Sequence, residues 1–410
     1  MTQHLATKGA ATHQARALPT TAYLACVDAL APGVKTLLGI GLDAVFATRP
    51  PYLWSILGRP GSWRPRRNRF SEYSILDVWR PGRAARVLAN VVIPSAPRTP
   101  PTSSPPLLRR LFWQPSVILQ RPDHHGSYTS FPDEAWFFVN GVASNDAVAQ
   151  LNSAYLSYLF HRPLTMIQNS TDSLLLDLLE CIGGKQWYRH TEAATKAFQP
   201  IYDALKRPDK QRVVVIAHSQ GTIIMATMLR MLAAIFSPPA ETRGLAALFG
   251  IAAAAYAPPE FVYPDQDPWR AEDFEPLSKE ELAKLELYCF ANCANSMKTI
   301  YAGADGRPIP WIESFGNEND LVARLGMLAP KAAQRGIAID GPCYVKPNGW
   351  GHLLNAHYLS DIHDCQKVSR RRGGVSGSIP YLLANADRYP DRQTPQLFSY
   401  LNGGVPAPDS

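Results

Sequence analysis

The chain has 410 residues, of which 46% are hydrophobic and 18% charged, and this is the balance of a folded protein with a sizeable core. The formal net charge is +7, but the basic excess is local, because residues 49–110 contain twelve arginines, no lysine and two acidic residues. The composition excludes a wholly disordered chain. It fits one large domain with extensions, or two domains.

The N-terminal region differs in texture from the rest. Residues 1–20 are polar and lack an apolar run, so we expect them to be disordered and find no signal peptide in them. Residues 21–108 predict a basic extension that ends in a proline-rich linker, with six prolines from Pro94 to Pro106. The apolar stretch Tyr23–Ala47 is interrupted by charged residues and a proline, which favours a helical hairpin, on the domain or on a membrane surface, over a spanning helix.

Two interpretations of the arginines in the Arg49–Arg110 segment stay open. One is peripheral contact with an anionic membrane surface, which attracts clustered basic residues. The other is pairing with acidic groups of the chain's own domain. We expect no nucleic-acid partner, because the aromatic-rich stretches carry no RNA-binding signature.

From about residue 109 onwards, apolar runs alternate with helical patterns. The predicted elements are strands at Ala135–Asn140, Pro163–Ile167, Arg212–Ala217, Leu285–Phe290, Trp311–Phe315 and Cys343–Val345, and helices from about Asp146 to Phe160, from Leu174, and after Ser219. This alternation predicts an α/β fold over residues 109–370, with a mostly parallel central sheet flanked by helices. We expect a cap insertion at about residues 237–280 and a C-terminal extension at residues 371–410.

Ser219 has the sequence context of an activated serine. The β-branched run Val213–Ile216 leads into Ala217-His218-Ser219-Gln220-Gly221, and a helical pattern follows. A strand, a sharp turn and a helix in this order expose a serine at the top of a parallel sheet. Small residues two positions before and after the serine let the strained turn approach its neighbours, so Ser219 is the candidate nucleophile.

A serine hydroxyl needs a base within hydrogen-bond reach and a third group that orients the base. In this topology the acid and then the histidine follow the serine along the chain. Asp320 lies on a Gly/Asn-rich loop and is the favoured acid, with Glu318 as the alternative; capping of the next helix is a purely structural explanation of Asp320. His352 precedes an apolar helix start and is the favoured base, with His357 as the alternative.

An oxyanion hole requires two backbone N–H donors aimed at the developing charge. One is expected from Gln220, at the start of a helix whose dipole favours negative charge. The other is expected from the turn after an early strand, where Gly141 precedes the candidate donor Val142. An ordinary strand-to-helix turn explains this glycine equally well.

Other chemistries lack a pattern in this chain. The six cysteines form no Cys-x-x-Cys pair, so we expect buried free thiols in a reducing compartment rather than a zinc site. There is no glycine-rich phosphate loop. We therefore expect neither a metal nor another cofactor.

On these residues the chain resembles the α/β-hydrolase superfamily of the Ser-His-Asp type, and in particular the lipase-like branch with an Ala-His-Ser-x-Gly elbow. The resemblance covers about residues 130–365. Ala217 replaces the commoner first glycine, a change that lipases of this branch tolerate. The stretches Phe131–Asn145, Phe160–Pro163 and Asp177–Cys181 are also similar to a group of poorly characterised microbial and fungal hydrolase-like proteins, and this narrower similarity implies no substrate.

The resemblance implies a serine hydrolase of the lipase or esterase type, which cleaves carboxylic esters through an acyl-enzyme. The alternatives are an acyltransferase or thioesterase with the same triad, and a hydrolase fold that only binds. The expected partner is a small-molecule or lipid ester. We expect the protein in the cytoplasm, and peripheral membrane contact through the Arg49–Arg110 segment stays open.

Overall fold

The computed structural model describes residues 55, 58–59, 70–74, 117–121, 131–141, 146–168, 192–236, 269–303, 306–363 and 380–406. Four predictions lie outside these residues, wholly or in large part. They are the disordered N-terminus, the basic extension with its proline-rich linker, the helix from Leu174, and the part of the cap at residues 237–268.

Most strands of the described residues belong to one sheet. In chain order the strands are β1 (Val117–Arg121), β2 (Glu134–Val139), β3 (Leu164–Gln168), β4 (Arg212–His218), β5 (Leu285–Phe290), β6 (Ser296–Met297), β7 (Tyr301–Ala302), β8 (Pro308–Ile309), β9 (Trp311–Asn317), β10 (Ala338–Ile339), β11 (Cys343–Lys346) and β12 (Leu382–Leu383). Eight of them form a sheet in the order β1-β3-β2-β4-β5-β9-β11-β12. Only β1 and β12, at its two edges, run antiparallel to their neighbours. The predicted mostly parallel central sheet is confirmed.

The helices vary in length and type. They are α1 (Asp146–Phe160), α2 (Glu192–Lys206), α3 (Gln220–Ile235), α4 (Lys279–Ala283) and α5 (Leu321–Leu325), with short 3-10 helices at Glu72–Ser74, Ala271–Asp273, Ala332–Arg335 and Gln396–Gly403 and a π-helical turn at Leu354–Leu359. The bounds of α1 are those predicted from its apolar pattern. Among the residues that the structure describes, none of these helices combines the length and the apolar character needed to cross a membrane.

Helices cover both faces of the sheet. The central strand β4 is buried and apolar from Val213 to Ala217, as a parallel strand must be when both of its faces are covered. Val213, Val215 and Ala217 pack with α2 and α3, whereas Val214 and Ile216 pack on the opposite face with α1 and the π-helical turn. Helices on both faces of a mostly parallel sheet define the α/β class.

Residues 380–406, which lie in the predicted C-terminal extension, complete the sheet. They supply its edge strand β12. The N–H groups of Gln396 and Leu397 donate to the buried Glu313 carboxylate of β9, at 2.7 and 3.2 Å. The C-terminal segment therefore packs against the same sheet that carries the predicted site.

The parallel strands direct three predicted site residues to one edge of the sheet. Ser219 follows β4, Asp320 follows β9, and His352 follows β11. This edge is the one formed by the carboxyl ends of the parallel strands, not an edge strand. Because these ends lie side by side, residues that are far apart in sequence are brought together there. Gly141 joins them from the end of β2.

Candidate active site

Ser219 lies on a sharp turn between β4 and α3. Its backbone has φ 58° and ψ −127°, a conformation that costs a non-glycine residue free energy and persists only where surrounding contacts impose it. The Ser219 N–H donates to the Phe290 carbonyl at 3.0 Å, and the Ser219 carbonyl accepts the Thr222 N–H at 2.9 Å. These bonds hold the strained turn, and the strand, turn and helix predicted around Ser219 are all present.

Two glycines let neighbouring backbone approach this turn. A Cβ atom at Gly141 would lie 2.5 Å from Ser219 Cβ and 2.8 Å from the His218 carbonyl oxygen. A Cβ atom at Gly221 would collide with the Val139 carbonyl oxygen. The close approach expected from a small residue two positions after the serine is therefore found at Gly221, and Gly141 borders the serine itself.

Ser219, His352 and Asp320 form one chain of hydrogen bonds. His352 Nε2 lies 2.9 Å from Ser219 Oγ, and His352 Nδ1 lies 2.9 Å from Asp320 Oδ2 and 3.1 Å from Oδ1. Because a carboxylate only accepts, Nδ1 carries the proton and Nε2 is left to accept the serine hydroxyl. All three residues are buried. The structure thus brings together the favoured nucleophile, acid and base.

Asp320 serves two purposes at once. Its Oδ1 atom accepts the Val322 N–H at 2.8 Å and so caps α5. Its Oδ2 atom accepts the hydroxyl of Tyr358 at 2.6 Å as well as the His352 N–H. The capping role that sequence analysis set against catalysis is real, and it holds the carboxylate in the orientation in which it meets His352.

Burial and the Asp320 charge act in opposite directions on the pKa of His352. Removal from water disfavours the imidazolium, but the Asp320 carboxylate favours it by charge and by hydrogen bond, so that the pKa is raised above its ordinary value. Among the residues that the structure describes, no carboxylate bonds the neighbouring His218. Burial, followed by the charge of His352, lowers its pKa well below the ordinary value.

The structure places the two alternative residues elsewhere. His357 Nδ1 accepts the Leu353 N–H at 2.9 Å, and Nε2 lies 2.8 Å from the Tyr73 hydroxyl. Burial, and then the charges of His352 and Lys346, lower the pKa of His357 to about 3. The Glu318 carboxylate accepts the Asn348 N–H at 2.6 Å on an exposed loop. The histidine that contacts Ser219 is therefore His352, and the acid that contacts this histidine is Asp320.

His218 also contacts His352. Its ring stacks on the His352 ring with centroids 4.7 Å apart. Its Nε2 lies 2.9 Å from the His352 carbonyl oxygen and must donate to it. His218 therefore contacts both the ring and the backbone of His352.

Tyr358 and His218 are the site residues that sequence reasoning missed as such. His352 precedes the π-helical turn Leu354–Leu359 in which Tyr358 lies, so helical periodicity gave no signal for the contact of Tyr358 with Asp320. The Tyr358 oxygen also accepts the Asn317 N–H at 3.1 Å. Tyr358 therefore joins the end of β9 to the helix that follows the base.

The predicted oxyanion hole is described in part. Gln220 is the first residue of α3 and directly follows Ser219, so its N–H belongs to the positive end of a 16-residue helix. Gly141 borders Ser219 on the other side, while Val142 lies outside the described residues.

In the described part of the chain, no group of three or more His, Cys, Asp or Glu side chains is placed to hold a metal ion. Cys289, Cys293 and Cys343 are free thiols.

The chain matches no known family model, and no curated protein or solved structure matches it. The class of protein is therefore argued from the fold and from the geometry of the site.

Proposed function

We propose that the protein is a serine hydrolase with an α/β-hydrolase fold, which cleaves carboxylic esters through Ser219, His352 and Asp320. The observation that carries the proposal is the unbroken hydrogen-bond chain from Ser219 Oγ through both His352 nitrogens to Asp320. Two further features support it. The serine sits on a strained strand-turn-helix, and the residues follow one another as Ser, Asp and His, which is the order in α/β-hydrolases.

The proposed reaction has two steps. His352 Nε2 takes the Ser219 hydroxyl proton as the oxygen attacks the ester carbonyl carbon, and Asp320 stabilises the imidazolium. The imidazolium then gives the proton to the alkoxy oxygen as the C–O bond breaks, which releases the alcohol and leaves an acyl-serine. His352 then takes a proton from water as the water oxygen attacks the acyl-serine carbonyl carbon, and the imidazolium returns this proton to Ser219 Oγ as the bond between the acyl carbon and Ser219 Oγ breaks, which releases the carboxylic acid and restores the serine.

The turn around the nucleophile supplies the electrostatic part of this proposal. The carbonyl oxygen becomes negative in the tetrahedral intermediate and needs fixed N–H donors. The Gln220 N–H, at the start of α3, supports this role by its position. We assign the second donor to the turn that begins at Gly141 and includes Val142.

An acyl-serine can also pass its acyl group to an alcohol, or be formed from a thioester. Esterase, acyltransferase and thioesterase activity are separated by the products formed when the protein is given an activated ester with and without an added alcohol, or an acyl thioester. We expect the free acid to be the main product in each case, because water is the acceptor in the proposed reaction.

Replacement of the nucleophile tests the proposal. In Ser219→Ala we expect hydrolysis of short p-nitrophenyl esters to fall by at least about a thousandfold, and covalent labelling by a fluorophosphonate probe to be lost, because no hydroxyl remains to attack. The measurements are ester hydrolysis rates and mass spectrometry of the labelled protein. If Ser219→Ala is still labelled at the wild-type rate, the assignment is wrong.

Ser278→Ala is the matched control. Ser278 caps α4, and its Oγ accepts the Glu281 N–H at 3.1 Å. Because α4 directly precedes β5, it lies at the amino ends of the parallel strands, whereas Ser219 lies at their carboxyl ends. Loss of this cap should cost about 1 kcal/mol of stability. Labelling and hydrolysis should stay at the wild-type level, since the helix has no part in the reaction.

A further inference from the structure

A five-residue segment that comes before all strands of the sheet in the sequence packs on the π-helical turn Leu354–Leu359, which follows His352. We call this segment, residues 70–74, the strap. Its Glu72 carboxylate is buried and accepts the N–H groups of Asn355 and Ala356 at 2.7 and 2.9 Å. These are among the first N–H groups of the helical segment, which have no partner within the helix. The strap therefore caps the helix from outside.

The strap also holds the side chain of Asn355. Asn355 Nδ2 donates to the carbonyl of Phe70 at 2.7 Å and to that of Leu151 at 3.2 Å. The Phe70 ring stacks on Tyr155 of α1 with centroids 4.8 Å apart. Through these contacts the strap joins the helical segment after His352 to α1, which packs on one face of the sheet.

Tyr73 extends this support to both neighbours of the base. Its hydroxyl bonds His357 Nε2 at 2.8 Å, and because His357 Nδ1 accepts the Leu353 N–H, Nε2 carries the proton and donates to Tyr73. On the other side of His352, Gly351 has φ 90°, and a Cβ atom there would collide with the His357 ring. The His357 ring, which Tyr73 holds, thus contacts Gly351 before His352 and Leu353 after it.

We propose that Glu72 and Tyr73 are positioning residues, which keep His352 Nε2 at Ser219 Oγ by holding the backbone on both sides of His352. This inference rests on the proposed function. It extends the working unit of the enzyme into the region before residue 109, which lies outside the hydrolase resemblance. Neither side chain touches Ser219 or the ester, so their effect passes through His352.

Two substitutions separate positioning from stability. Glu72→Gln keeps the shape of the side chain, but the amide can accept only one of the two N–H groups and turns its own N–H₂ towards the other. Tyr73→Phe removes only the bond to His357. A displacement of the base by a fraction of an ångström to 1 Å can cost up to about a hundredfold in rate, so we expect kcat to fall by roughly tenfold for Glu72→Gln and several-fold for Tyr73→Phe, with KM within about twofold of wild type.

Glu313→Gln is the matched control. The Glu313 carboxylate is also buried and also caps a helical segment, by accepting the N–H groups of Gln396 and Leu397. It does so at the C-terminal segment, away from His352. We expect Glu313→Gln to lower the midpoint of thermal unfolding about as much as Glu72→Gln does, while kcat per active site stays at the wild-type value.

The experiment measures kcat and KM on a p-nitrophenyl ester, with active sites counted by fluorophosphonate labelling so that unfolded protein does not contribute. The proposal is overturned if Glu72→Gln and Tyr73→Phe keep the wild-type kcat per active site. If Glu72→Gln does not fold, Tyr73→Phe alone decides. A wild-type protein that neither hydrolyses esters nor takes the probe overturns the proposed function and this inference with it. A reactive wild type with unchanged variants overturns this inference alone.

Discussion

The Asp320 carboxylate accepts hydrogen bonds from three directions. One donor is the Val322 N–H of α5, the second is the Tyr358 hydroxyl of the π-helical turn after His352, and the third is the His352 ring N–H. An ionised carboxylate has about four lone-pair sites, so one side chain can satisfy all three donors. The first two bonds fix the direction of the third, and this is why Asp320 can cap a helix and bond the His352 ring at the same time.

Gly141 is the residue at which a single added methyl group should lower both activity and stability. Its absent side chain leaves the space in which Ser219 and His218 meet the turn after β2. In Gly141→Ala the new Cβ would lie 2.5 Å from Ser219 Cβ, so either the turn or the elbow must shift. We expect ester hydrolysis to fall by about a hundredfold and stability to fall by about 1–3 kcal/mol, measured by kcat/KM and urea unfolding.

Gly306→Ala is the control for this prediction. Gly306 has φ 79°, and a Cβ atom there would meet nothing within 4 Å. Its replacement therefore carries a backbone cost of about 1 kcal/mol, with no contact near the serine, and should leave kcat/KM unchanged. Equal activity of Gly141→Ala and Gly306→Ala would show that the turn after β2 does not need to approach the nucleophile.

At the level of elements, a buried ion pair joins three separate parts of the chain. Arg162, between α1 and β3, is fully buried. Its guanidinium donates to Glu134 at the start of β2, at 2.8 and 3.1 Å, and to the Gly404 carbonyl of the C-terminal segment at 2.9 Å. Trp136 donates to the same carboxylate at 2.7 Å. The ion pair therefore holds together the start of β2, the residues just before β3 and the C-terminal segment.

Removal of one member of this pair should cost more than removal of both charges. Arg162→Met leaves the buried Glu134 carboxylate with the Trp136 N–H and with the partly buried Arg212, whose Nη1 lies 3.8 Å from it, and we expect a loss of about 3 kcal/mol. In the double variant with Glu134→Gln no charge is left buried, so the loss should be smaller than in Arg162→Met alone. Urea unfolding of the single and double variants checks this order. A double variant less stable than Arg162→Met would contradict it.

For the whole molecule, the part that sequence could predict is the part that local patterns encode. The strand before Ser219, the helix after it, and the Ser-Asp-His order each depend on residues that are close in sequence or on the order of elements. The contact of Tyr358 with Asp320 depends on a π-helical turn that the sequence did not predict. Glu72 lies 283 residues before its partner Asn355, and no local pattern identifies a carboxylate that caps a helix at such a distance.

Glu72 and Glu313, two buried carboxyl groups, also affect the stability of the whole chain. Burial raises the pKa of Glu313 to about 8 and that of Glu72 to about 7, although the backbone N–H groups that they accept act in the opposite direction. Between the ordinary carboxyl pKa and these values, the folded protein keeps protons that the unfolded chain has released. Their contribution to the unfolding free energy is complete below the unfolded pKa and is lost as the pH rises through the folded pKa.

We therefore expect the unfolding free energy of wild type, relative to Glu313→Gln, to fall between about pH 5 and pH 8 by roughly 1 kcal/mol per pH unit. The comparison with Glu313→Gln cancels the buried histidines His218 and His357, whose lowered pKa values make folding more favourable as the pH rises through the lower part of this window. Urea unfolding at pH 5.5, 6.5 and 8 measures the difference. Exposed Glu280 provides the control, since Glu280→Gln should follow the wild-type pH dependence. A constant difference between wild type and Glu313→Gln across this range would mean that Glu313 is ionised in the folded protein, and that the C-terminal segment is held by a charged carboxylate rather than a neutral one.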